Sequence, residues 1–221
     1  WNRAVPRYTS YPTAPQFQPM EEPVLLEKLH SFDLSNKPLS LYFHIPFCKS
    51  MCLFCGCSVV LNRNPERQSH YLTHLLREIE LVAKNFSTRR RVSQLHLGGG
   101  TPTSLTIAQF DALLSKIHRH FAFTPDAEIS IEIDPRHVKP DGMVFYHSMG
   151  INRISFGVQD FELDVQKAIG RVQPDFVISR LLVPEIRKLF PNGVNFDMIC
   201  GLPLQTRDSF RRTMEKVIEL S

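Results

Sequence analysis

The sequence predicts an α/β fold with parallel strands, on the basis of three observations. Strand-like and helix-like apolar segments alternate five times after residue 38. The 221 residues, of which 43% are hydrophobic and 22% charged, fall in the ordinary globular range and can bury a sizeable core. Glycine and polar residues gather where the predicted strands end, as in α/β folds that bind ligands at that edge. We therefore expect an open α/β sheet or a barrel with its functional site at the strand ends.

The first 38 residues differ from the rest because they are rich in proline and have little apolar periodicity. Six prolines interrupt this segment, at positions 6, 12, 15, 19, 23 and 38. The first helical pattern is the short run 24–29. These features predict two parts: residues 1–38 form an extended N-terminal arm and a short helix, and residues 39–221 form the core.

The core is predicted from segments with strand or helix periodicity in regular alternation. Five strands are expected, at 39–45, 94–97, 129–133, 153–156 and 194–199. Helices are expected between and after them, at 65–84, 106–121, 141–148, 162–169, 176–190 and 207–220. Because helices of this length connect successive strands, the strands should be parallel with right-handed crossovers.

Charge and hydropathy exclude several classes of protein. The 26 basic and 22 acidic residues leave a formal net charge of +4, which is too small for a dedicated nucleic-acid binder but suits a polyanionic small molecule. No apolar run approaches the ~20 residues that span a bilayer, and the first residues lack the apolar stretch of a signal peptide. We expect a cytoplasmic protein that binds neither nucleic acid nor membrane.

Four of the five cysteines lie within ten residues, directly after the first predicted strand. Cys48, Cys52 and Cys55 have the spacing Cys-x3-Cys-x2-Cys, and three such thiolates can ligate three irons of a [4Fe–4S] cluster while the fourth iron stays open. A zinc site or unliganded thiols are the alternatives. Cys57 is too close to Cys55 to bind the same cluster easily, and Cys200 is predicted to be a small buried core residue.

These residues resemble the motifs of radical S-adenosylmethionine (radical SAM) enzymes. The resemblance lies in the three-cysteine motif with Phe54 before its last cysteine, and in the segment Gly98-Gly99-Gly100-Thr101-Pro102 after the second strand. Further segments resemble more specifically the oxygen-independent coproporphyrinogen III oxidase family, also called coproporphyrinogen dehydrogenase: they are 7–14, 42–48, 55–57 and 157–161. The resemblance implies a partial (β/α) barrel of the radical SAM type. Because that family is considerably longer, it also implies that the C-terminal part of the family fold is missing here.

The resemblance implies an oxidoreductase of haem biosynthesis with a [4Fe–4S] cluster and S-adenosyl-L-methionine as cofactors. In the family, a 5'-deoxyadenosyl radical initiates oxidative decarboxylation of two propionate side chains of coproporphyrinogen III, which become the vinyl groups of protoporphyrinogen IX. The resemblance further implies an electron donor such as a flavodoxin or ferredoxin, and a monomer. As an alternative, the chain is similar to haem-chaperone relatives, which bind haem without oxidase activity; Cys57 and the arm signature favour the oxidase.

The resemblance also assigns roles to individual positions. Cys48, Cys52 and Cys55 are the cluster ligands, and Cys57 and Tyr42 are catalytic positions. The positions at the S-adenosylmethionine are Tyr42, Phe54, Gly99, Gly100, Thr101, Glu132, Gln159, Arg171 and Asp197. Arg7 and Tyr8 on the arm are candidates to meet substrate propionates.

Several of these positions have a plain structural interpretation as well. Glu132 is either a cofactor residue or part of an internal ion pair with Arg153 or Arg171. Arg171 alternatively lies on the surface near a helix end, and Tyr42 alternatively belongs to the core. The three glycines alternatively form an ordinary tight turn, and the arm alternatively forms a disordered tail.

Overall fold

The computed structural model of the protein describes residues 16–62, 64–138, 140–173, 183–191 and 193–220. Its first half contains α1 (Glu22–Leu34), β1 (Leu39–Ile45), β2 (Phe47–Cys48), β3 (Val60–Leu61), α2 (Pro65–Ala83), β4 (Arg91–Gly99) and α3 (Ile107–His120). Its second half contains β5 (Ala122–Ile133), α4 (Pro140–Ser148), β6 (Arg153–Gln159), α5 (Leu163–Ala168), α6 (Val183–Leu189), β7 (Val194–Met198) and α7 (Arg207–Glu219). Short 3-10 turns at Pro102–Ser104 and Pro135–His137 follow β4 and β5.

Five strands of the described chain form one parallel sheet in the order β1-β4-β5-β6-β7. Each strand pairs with the strand that precedes it in this series, and the order never reverses. A doubly wound sheet reverses its order at a switch point, whereas a (β/α) barrel adds each strand on the same side. The order is therefore that of part of a barrel, and the predicted α/β fold with parallel strands is confirmed.

The two faces of the sheet differ because side chains alternate along each strand. One face is apolar: Leu95 and Leu97 of β4 and Ile131 of β5 are fully buried in a core that also contains apolar side chains of α2 and α3. The opposite face is polar, and its side chains bond across strands, as His96 does with Ser130. The helices thus cover the apolar face, and the polar face is the inner face of the partial barrel.

Capping side chains explain where the longer helices begin. The side chain of Asn64 accepts a hydrogen bond from the backbone N–H of Glu66 at the start of α2. Thr106 and Gln109 form a reciprocal capping box at the start of α3, and a similar arrangement begins α7. These side chains satisfy backbone donors that have no partner within the helix.

A small two-stranded parallel sheet, β2 with β3, holds the two ends of the cysteine segment together. The Val60 N–H donates to the Pro46 carbonyl at 2.7 Å, and the Asn62 N–H donates to the Cys48 carbonyl at 3.0 Å. Residues 49–59 between these strands form a loop, called here the cysteine loop. The amino-acid pattern does not predict this sheet, because two-residue strands carry no periodicity.

The described elements differ from the predicted ones mainly in length. The predicted segments 94–97 and 129–133 lie within the longer β4 and β5, since Pro125 and Asp126 interrupt the apolar pattern of β5. The helix predicted at 176–190 is described only as α6, because residues 174–182 lie outside the described residues. Cys200 is exposed in the turn after β7, so its prediction as a buried core residue is wrong.

The predicted N-terminal arm falls mostly outside the described part of the chain. Residues 1–15, including Arg7 and Tyr8, lie outside the described residues. The short helix predicted at 24–29 is part of the longer α1. Within the described residues, we find no helix that combines the length and the apolar character needed to cross a membrane.

Candidate active site

The predicted site residues converge on a cleft of about 220 Å³ at the carboxyl ends of the strands. The cysteine loop forms one wall, and the turn after β4 and the ends of β5, β6 and β7 form the others. The predicted residues that line the cleft are Cys48, Cys52, Phe54, Cys55, Cys57, Gly99, Gly100, Thr101, Glu132, Gln159, Arg171 and Asp197. Tyr42 is not among them, and the cleft also contains Asp134 and Arg136, which the sequence analysis did not select.

The three predicted cluster ligands lie around the cleft with different degrees of burial. Cys52 is buried, whereas Cys48 and Cys55 are half-buried, and Cys48 Sγ lies 3.6 Å from the Thr101 hydroxyl. Burial raises the pKa of the Cys48 thiol, although the hydrogen bond with Thr101 opposes this effect. None of the cysteines is in a disulfide, and no three His, Cys, Asp or Glu side chains of the described residues form a ready metal site. The three thiols nevertheless line one cleft.

The cysteine loop is anchored on its outer side to the turn after α5. The Leu53 N–H donates to the Ile169 carbonyl at 3.0 Å. Phe54 packs on a small apolar cluster of Val165, Ile169 and Leu202 while its ring also lines the cleft. These contacts place the middle of the loop next to the second half of the sheet.

The turn after β4 lets the backbone approach the cleft closely. Gly99 has a φ of +112°, and a Cβ on it would lie 2.7 Å from the imidazole of His44. A Cβ on Gly100 would lie 2.7 Å from the backbone of Pro46. The positive φ disfavours a side chain at Gly99, and the close contacts leave no space for one at either position. The turn therefore packs closely against His44 and the Pro46 backbone, and it lines the cleft beside Thr101.

Glu132 connects this turn to the polar inner face of the sheet. One of its carboxylate oxygens accepts a hydrogen bond from the Gly99 N–H at 3.0 Å, and the other lies 3.2 Å from His96 Nε2. Arg153 pairs with Glu128 and Arg171 with Asp134, so the predicted arginine partners are wrong, and the internal partner of Glu132 is His96. The Glu132 side chain is 40% exposed and remains accessible from the cleft.

Tyr42 is the predicted site residue that the cleft does not include. It lies on the polar face of β1 and is 57% exposed, so the alternative of a core residue is wrong. Its hydroxyl lies 3.1 Å from His44 Nδ1, and its ring stacks on the ring of His96 with centroids 5.8 Å apart. Partial burial, together with the nearby Glu132 and Cys57, raises the pKa of Tyr42. Tyr42 thus adjoins the cleft through His96 and does not line it.

Three further predicted residues come from the second half of the chain: two from strands β6 and β7 and one from the segment after α5. Arg171 is buried and donates to the Gly157 carbonyl at 3.1 Å, so the alternative of a surface arginine is wrong. Gln159 ends β6 with a φ of +72°, a conformation that few non-glycine residues adopt. Asp197 is exposed, and one of its carboxylate oxygens accepts a hydrogen bond from Ser155 Oγ at 2.7 Å.

Asp134 and Arg136 are the site residues that sequence reasoning missed. Asp134 is buried, and its carboxylate pairs with Arg136 at 2.7 Å and with Arg171 at 3.2 Å. Burial raises the pKa of Asp134, but the hydrogen bonds and charges of the two arginines outweigh it and hold this pKa below its usual value. The available signal was their position directly after β5, where an α/β fold collects its functional residues.

The groups in the cleft fit a [4Fe–4S] cluster together with S-adenosylmethionine. Three thiols around one cleft are the ligand type that iron–sulfur clusters require. The accessible Glu132 carboxylate can pair with the amino group of an amino-acid ligand, and the Arg171 guanidinium, which is bonded to Asp134 and Gly157, brings positive charge to the same cleft. The backbone of Gly99 and Gly100 lines the same cleft, next to the cysteine loop.

Comparison with known proteins identifies the protein family to which a chain with this fold and cleft belongs. The sequence matches the radical SAM superfamily over residues 42–217, and the chain belongs to this family. The cofactors of the family are a [4Fe–4S] cluster and S-adenosylmethionine, as the sequence analysis predicts. A solved radical SAM methyltransferase, TsrM from Kitasatospora setae, has a similar fold with a TM-score of 0.53 at 14% identity, over 82% of this chain and 34% of that chain.

Within this family, the chain is similar to proteins named oxygen-independent coproporphyrinogen III oxidase, which confirms the predicted resemblance. The protein of that name from Pseudomonas aeruginosa is 44% identical over 220 residues, which are 97% of this chain and 47% of the relative. The one from Escherichia coli is 43% identical over 100% of this chain and 48% of the relative. The solved coproporphyrinogen III oxidase (HemN) from Escherichia coli has a TM-score of 0.90 at 43% identity, over 97% of this chain and 49% of that chain. The chain spans about half the length of the curated relatives it matches.

Proposed function

We propose that this chain performs the reaction of an oxygen-independent coproporphyrinogen III oxidase. That reaction is the oxidative decarboxylation of two propionate side chains of coproporphyrinogen III to the vinyl groups of protoporphyrinogen IX. The observation that carries the proposal is the identity of 43 to 44% along essentially the whole chain to proteins of that name. The names of these relatives support the oxidase and not the alternative of a haem chaperone.

The cysteine loop and the adjoining end of β2 are proposed to hold the cluster. Cys48, Cys52 and Cys55 bind three irons and leave one iron for S-adenosylmethionine. When bound, the reduced cluster supplies the electron that cleaves S-adenosylmethionine and starts the radical chemistry of the family. The protein's own task is to bind, orient and shield these groups, and the burial of Cys52 with the partial burial of the other two thiols supports the shielding.

Two charged residues are proposed to orient the amino-acid part of S-adenosylmethionine. Glu132 presents an accessible carboxylate that can accept hydrogen bonds from an ammonium group. Arg171 carries a planar guanidinium that suits a carboxylate. Between them, Gly99 and Gly100 let the backbone approach the ligand, and Thr101 is buried beside them against Cys48.

Phe54, Gln159 and Asp197 are proposed to bind the adenosine part. The Asp197 carboxylate is exposed and is held by Ser155 and Asn195, so it can accept hydrogen bonds from ribose hydroxyls. The Phe54 ring lines the cleft and can stack on the adenine. Gln159 stands at the end of β6 with an amide that can reach the same ligand.

Cys57 and Tyr42 are proposed as the catalytic positions that face the substrate. Cys57 is exposed on the cleft wall, and Tyr42 is exposed on the adjoining inner face of the sheet. The two are close enough for the Cys57 thiol to contribute to the raised pKa of Tyr42. A porphyrinogen that lies over the inner face and the mouth of the cleft would meet both side chains.

The proposed chemistry also indicates the partners of the protein and its location in the cell. We propose a one-electron donor such as a flavodoxin or ferredoxin, a monomeric protein, and no nucleic-acid or membrane partner. We propose a cytoplasmic location, because reduced thiols that hold a cluster need a reducing compartment. The division into an arm with a short helix at 1–38 and a radical SAM core at 39–221 also stays a proposal.

The test is anaerobic reconstitution with iron and sulfide, followed by reduction and addition of S-adenosylmethionine and coproporphyrinogen III. Mass spectrometry then measures 5'-deoxyadenosine and the stepwise loss of CO2 from the porphyrinogen. We expect both products. Deoxyadenosine without loss of CO2 contradicts the proposed substrate, and neither product from a sample with a verified cluster contradicts the proposed enzyme class.

A pair of cysteine variants provides the matched control. Cys52→Ser should lose the cluster absorbance and both products, because the buried thiol in the cleft is a proposed ligand. Cys200→Ser removes an exposed cysteine that does not line the cleft and should behave as the wild type. Equal cluster content in the two variants would contradict the ligand assignment.

A further inference from the structure

Arg136, Arg171 and Asp134 are packed together next to the cysteine loop. All three side chains are largely buried: they are 14%, 8% and 7% exposed, respectively. Arg136 Nη2 lies 3.4 Å from Cys52 Sγ, and Arg171 Nη1 lies 3.3 Å from the same sulfur. Cys52 is thus approached by two guanidinium groups from within the protein.

The charges of this group do not balance without a further anion. Arginine stays protonated in proteins, so the two guanidinium groups carry two positive charges against the single negative charge of Asp134. In the described part of the chain, Asp134 is the carboxylate that pairs with both arginines. Buried charges are stable when they are paired, so the surplus positive charge beside Cys52 would suit an anionic group bound in the cleft, such as an iron–sulfur cluster with thiolate ligands.

Asp134 fixes the guanidinium of Arg136 through several hydrogen bonds. Asp134 Oδ1 accepts hydrogen bonds from the backbone N–H and from Nε of Arg136, both at 3.0 Å. Asp134 Oδ2 accepts a third from Nη2 at 2.7 Å. This fork fixes the plane of the guanidinium, and Nη2, which points at the sulfur, cannot rotate away without breaking the pair.

The two arginines differ in their contacts other than the one with Cys52. The proposed function assigns Arg171 to the carboxylate of S-adenosylmethionine, and Arg171 also donates to the Gly157 carbonyl. Arg136 belongs to the 3-10 turn after β5, and its side-chain contacts are with Asp134 and Cys52. Arg136 is therefore the arginine whose side chain contacts only Cys52 and the carboxylate that fixes it, among the contacts of the described residues.

We propose that Arg136 is a positioning residue for the cluster: its guanidinium, fixed by Asp134, orients the Cys52 sulfur and raises the reduction potential of the bound cluster. Hydrogen bonds to ligand sulfurs and nearby positive charge stabilise the reduced cluster, which carries one more negative charge. A higher potential favours the transfer of an electron from the donor to the cluster, which is the first step that the family's chemistry requires. The inference rests on the proposed function in one respect, namely that Cys52 is a cluster ligand.

The test is the reduction potential of the reconstituted protein, measured by an anaerobic redox titration followed by electron paramagnetic resonance. Arg136→Gln should shift the potential to a more negative value at unchanged iron and sulfide content, because it removes a positive charge and a donor to sulfur. Arg136→Lys keeps the charge but loses the fork, so a smaller shift in the same direction is expected. The lysine variant decides the question if the glutamine variant does not fold or load.

Arg212→Gln is the matched control. Arg212 also pairs with a carboxylate, Glu162, at 2.8 Å, but it does not line the cleft, so its loss should leave the potential unchanged. A wild-type potential in cluster-loaded Arg136 variants would overturn the inference and leave the proposed function intact. Failure of Cys52→Ser to affect the cluster would instead contradict the proposed function, so the two failures are distinguishable.

Discussion

Glu132 serves the fold and the cleft with the same carboxylate. Its neighbours Ile131 and Ile133 are buried on the apolar side of β5, so alternation places Glu132 on the inner face. There it accepts the Gly99 N–H and meets His96, whose other ring nitrogen is 2.7 Å from Ser130 Oγ. Glu132 therefore fixes the glycine turn and presents a negative charge to the cleft at the same time.

We expect Glu132→Gln to weaken the binding of S-adenosylmethionine about 10- to 100-fold, since hydrogen bonds to charged groups contribute ~1.5–3 kcal/mol. Equilibrium dialysis on cluster-loaded protein measures the effect. Glu128→Gln is the matched control, because Glu128 lies on the same face of β5, four residues earlier, and pairs with Arg153 outside the cleft. Equal affinities of the two variants would contradict the role of Glu132.

The carboxyl of Asp134 links the stability of the protein to pH. Its pKa lies below the usual value because two arginines outweigh the effect of burial. A group with a depressed pKa in the folded state stabilises the fold above its unfolded pKa of about 3.9 and loses this contribution as the pH falls through the folded value. Asp134→Asn should therefore show a weaker loss of stability below pH ~4 than the wild type. Urea unfolding across this pH range measures it, and parallel curves for both proteins would contradict the prediction.

At the scale of secondary-structure elements, Arg90 attaches the first helix to the sheet. Arg90 is buried, donates to the carbonyl oxygen of Asp33 at 2.9 Å and lies 3.6 Å from its carboxylate. Its guanidinium also stacks over the rings of Phe32 and Phe86. Because α1 exposes apolar side chains such as Val24, Leu25 and Leu26, this polar anchor is a principal link between α1 and the core.

We expect Arg90→Ala to detach α1 while the sheet stays folded. The loss of several hydrogen bonds from a charged donor should lower the hydrogen-exchange protection of α1 at least about tenfold. Mass-spectrometric exchange resolves α1 from the strands in one experiment. Arg119→Ala, at an exposed position on α3, is the control and should leave α1 protected. Unchanged protection of α1 in Arg90→Ala would show that another contact holds the helix.

At the scale of the whole molecule, the polar inner face is a continuous surface that crosses the sheet. Ser40 donates to Gln94 at 2.9 Å, Gln94 donates to Glu128 at 3.4 Å, and Glu128 pairs with Arg153 at 3.5 Å. This row links four neighbouring strands below the row of Glu132 and Asp197 that faces the cleft. The rows hold the strands in register, so the cleft is built on a preorganised sheet while its cysteine wall is a loop.

Removal of the cluster should therefore affect one region of the molecule. Chelation of iron is expected to lower the melting temperature by ~2–4 °C for each kcal/mol of binding free energy lost. Hydrogen exchange should increase at residues 48–59 and at the turns after β4 and β5, whereas the strands β4 and β5 themselves should keep their protection. Scanning calorimetry and exchange measurements on the same samples check both parts. A uniform increase over the whole sheet would contradict a preformed platform.

Much of the fold could be predicted because its signals are local. Apolar periodicity predicts the strands of the sheet and most of the helices, since each element is read from neighbouring residues. The spacing of Cys48, Cys52 and Cys55 and the glycines after β4 likewise predict the two loops that line the cleft. The spacing of these residues along the chain is itself the signal, so they can be selected without knowledge of the tertiary structure.

The partners of the charged and aromatic side chains were decided by the tertiary structure alone. Arg171 is buried against Asp134, Tyr42 is exposed beside the cleft, and Cys200 is exposed in a turn, although the sequence permits the opposite environment for each. Such contacts depend on the register of strands far apart in sequence and on the order in which the sheet is assembled. By itself, the sequence determined the secondary-structure elements, the cluster motif and the family. The tertiary structure decided that Arg136, paired with Asp134, contacts Cys52, because only the parallel packing of the strands brings the end of β5 to the cysteine loop.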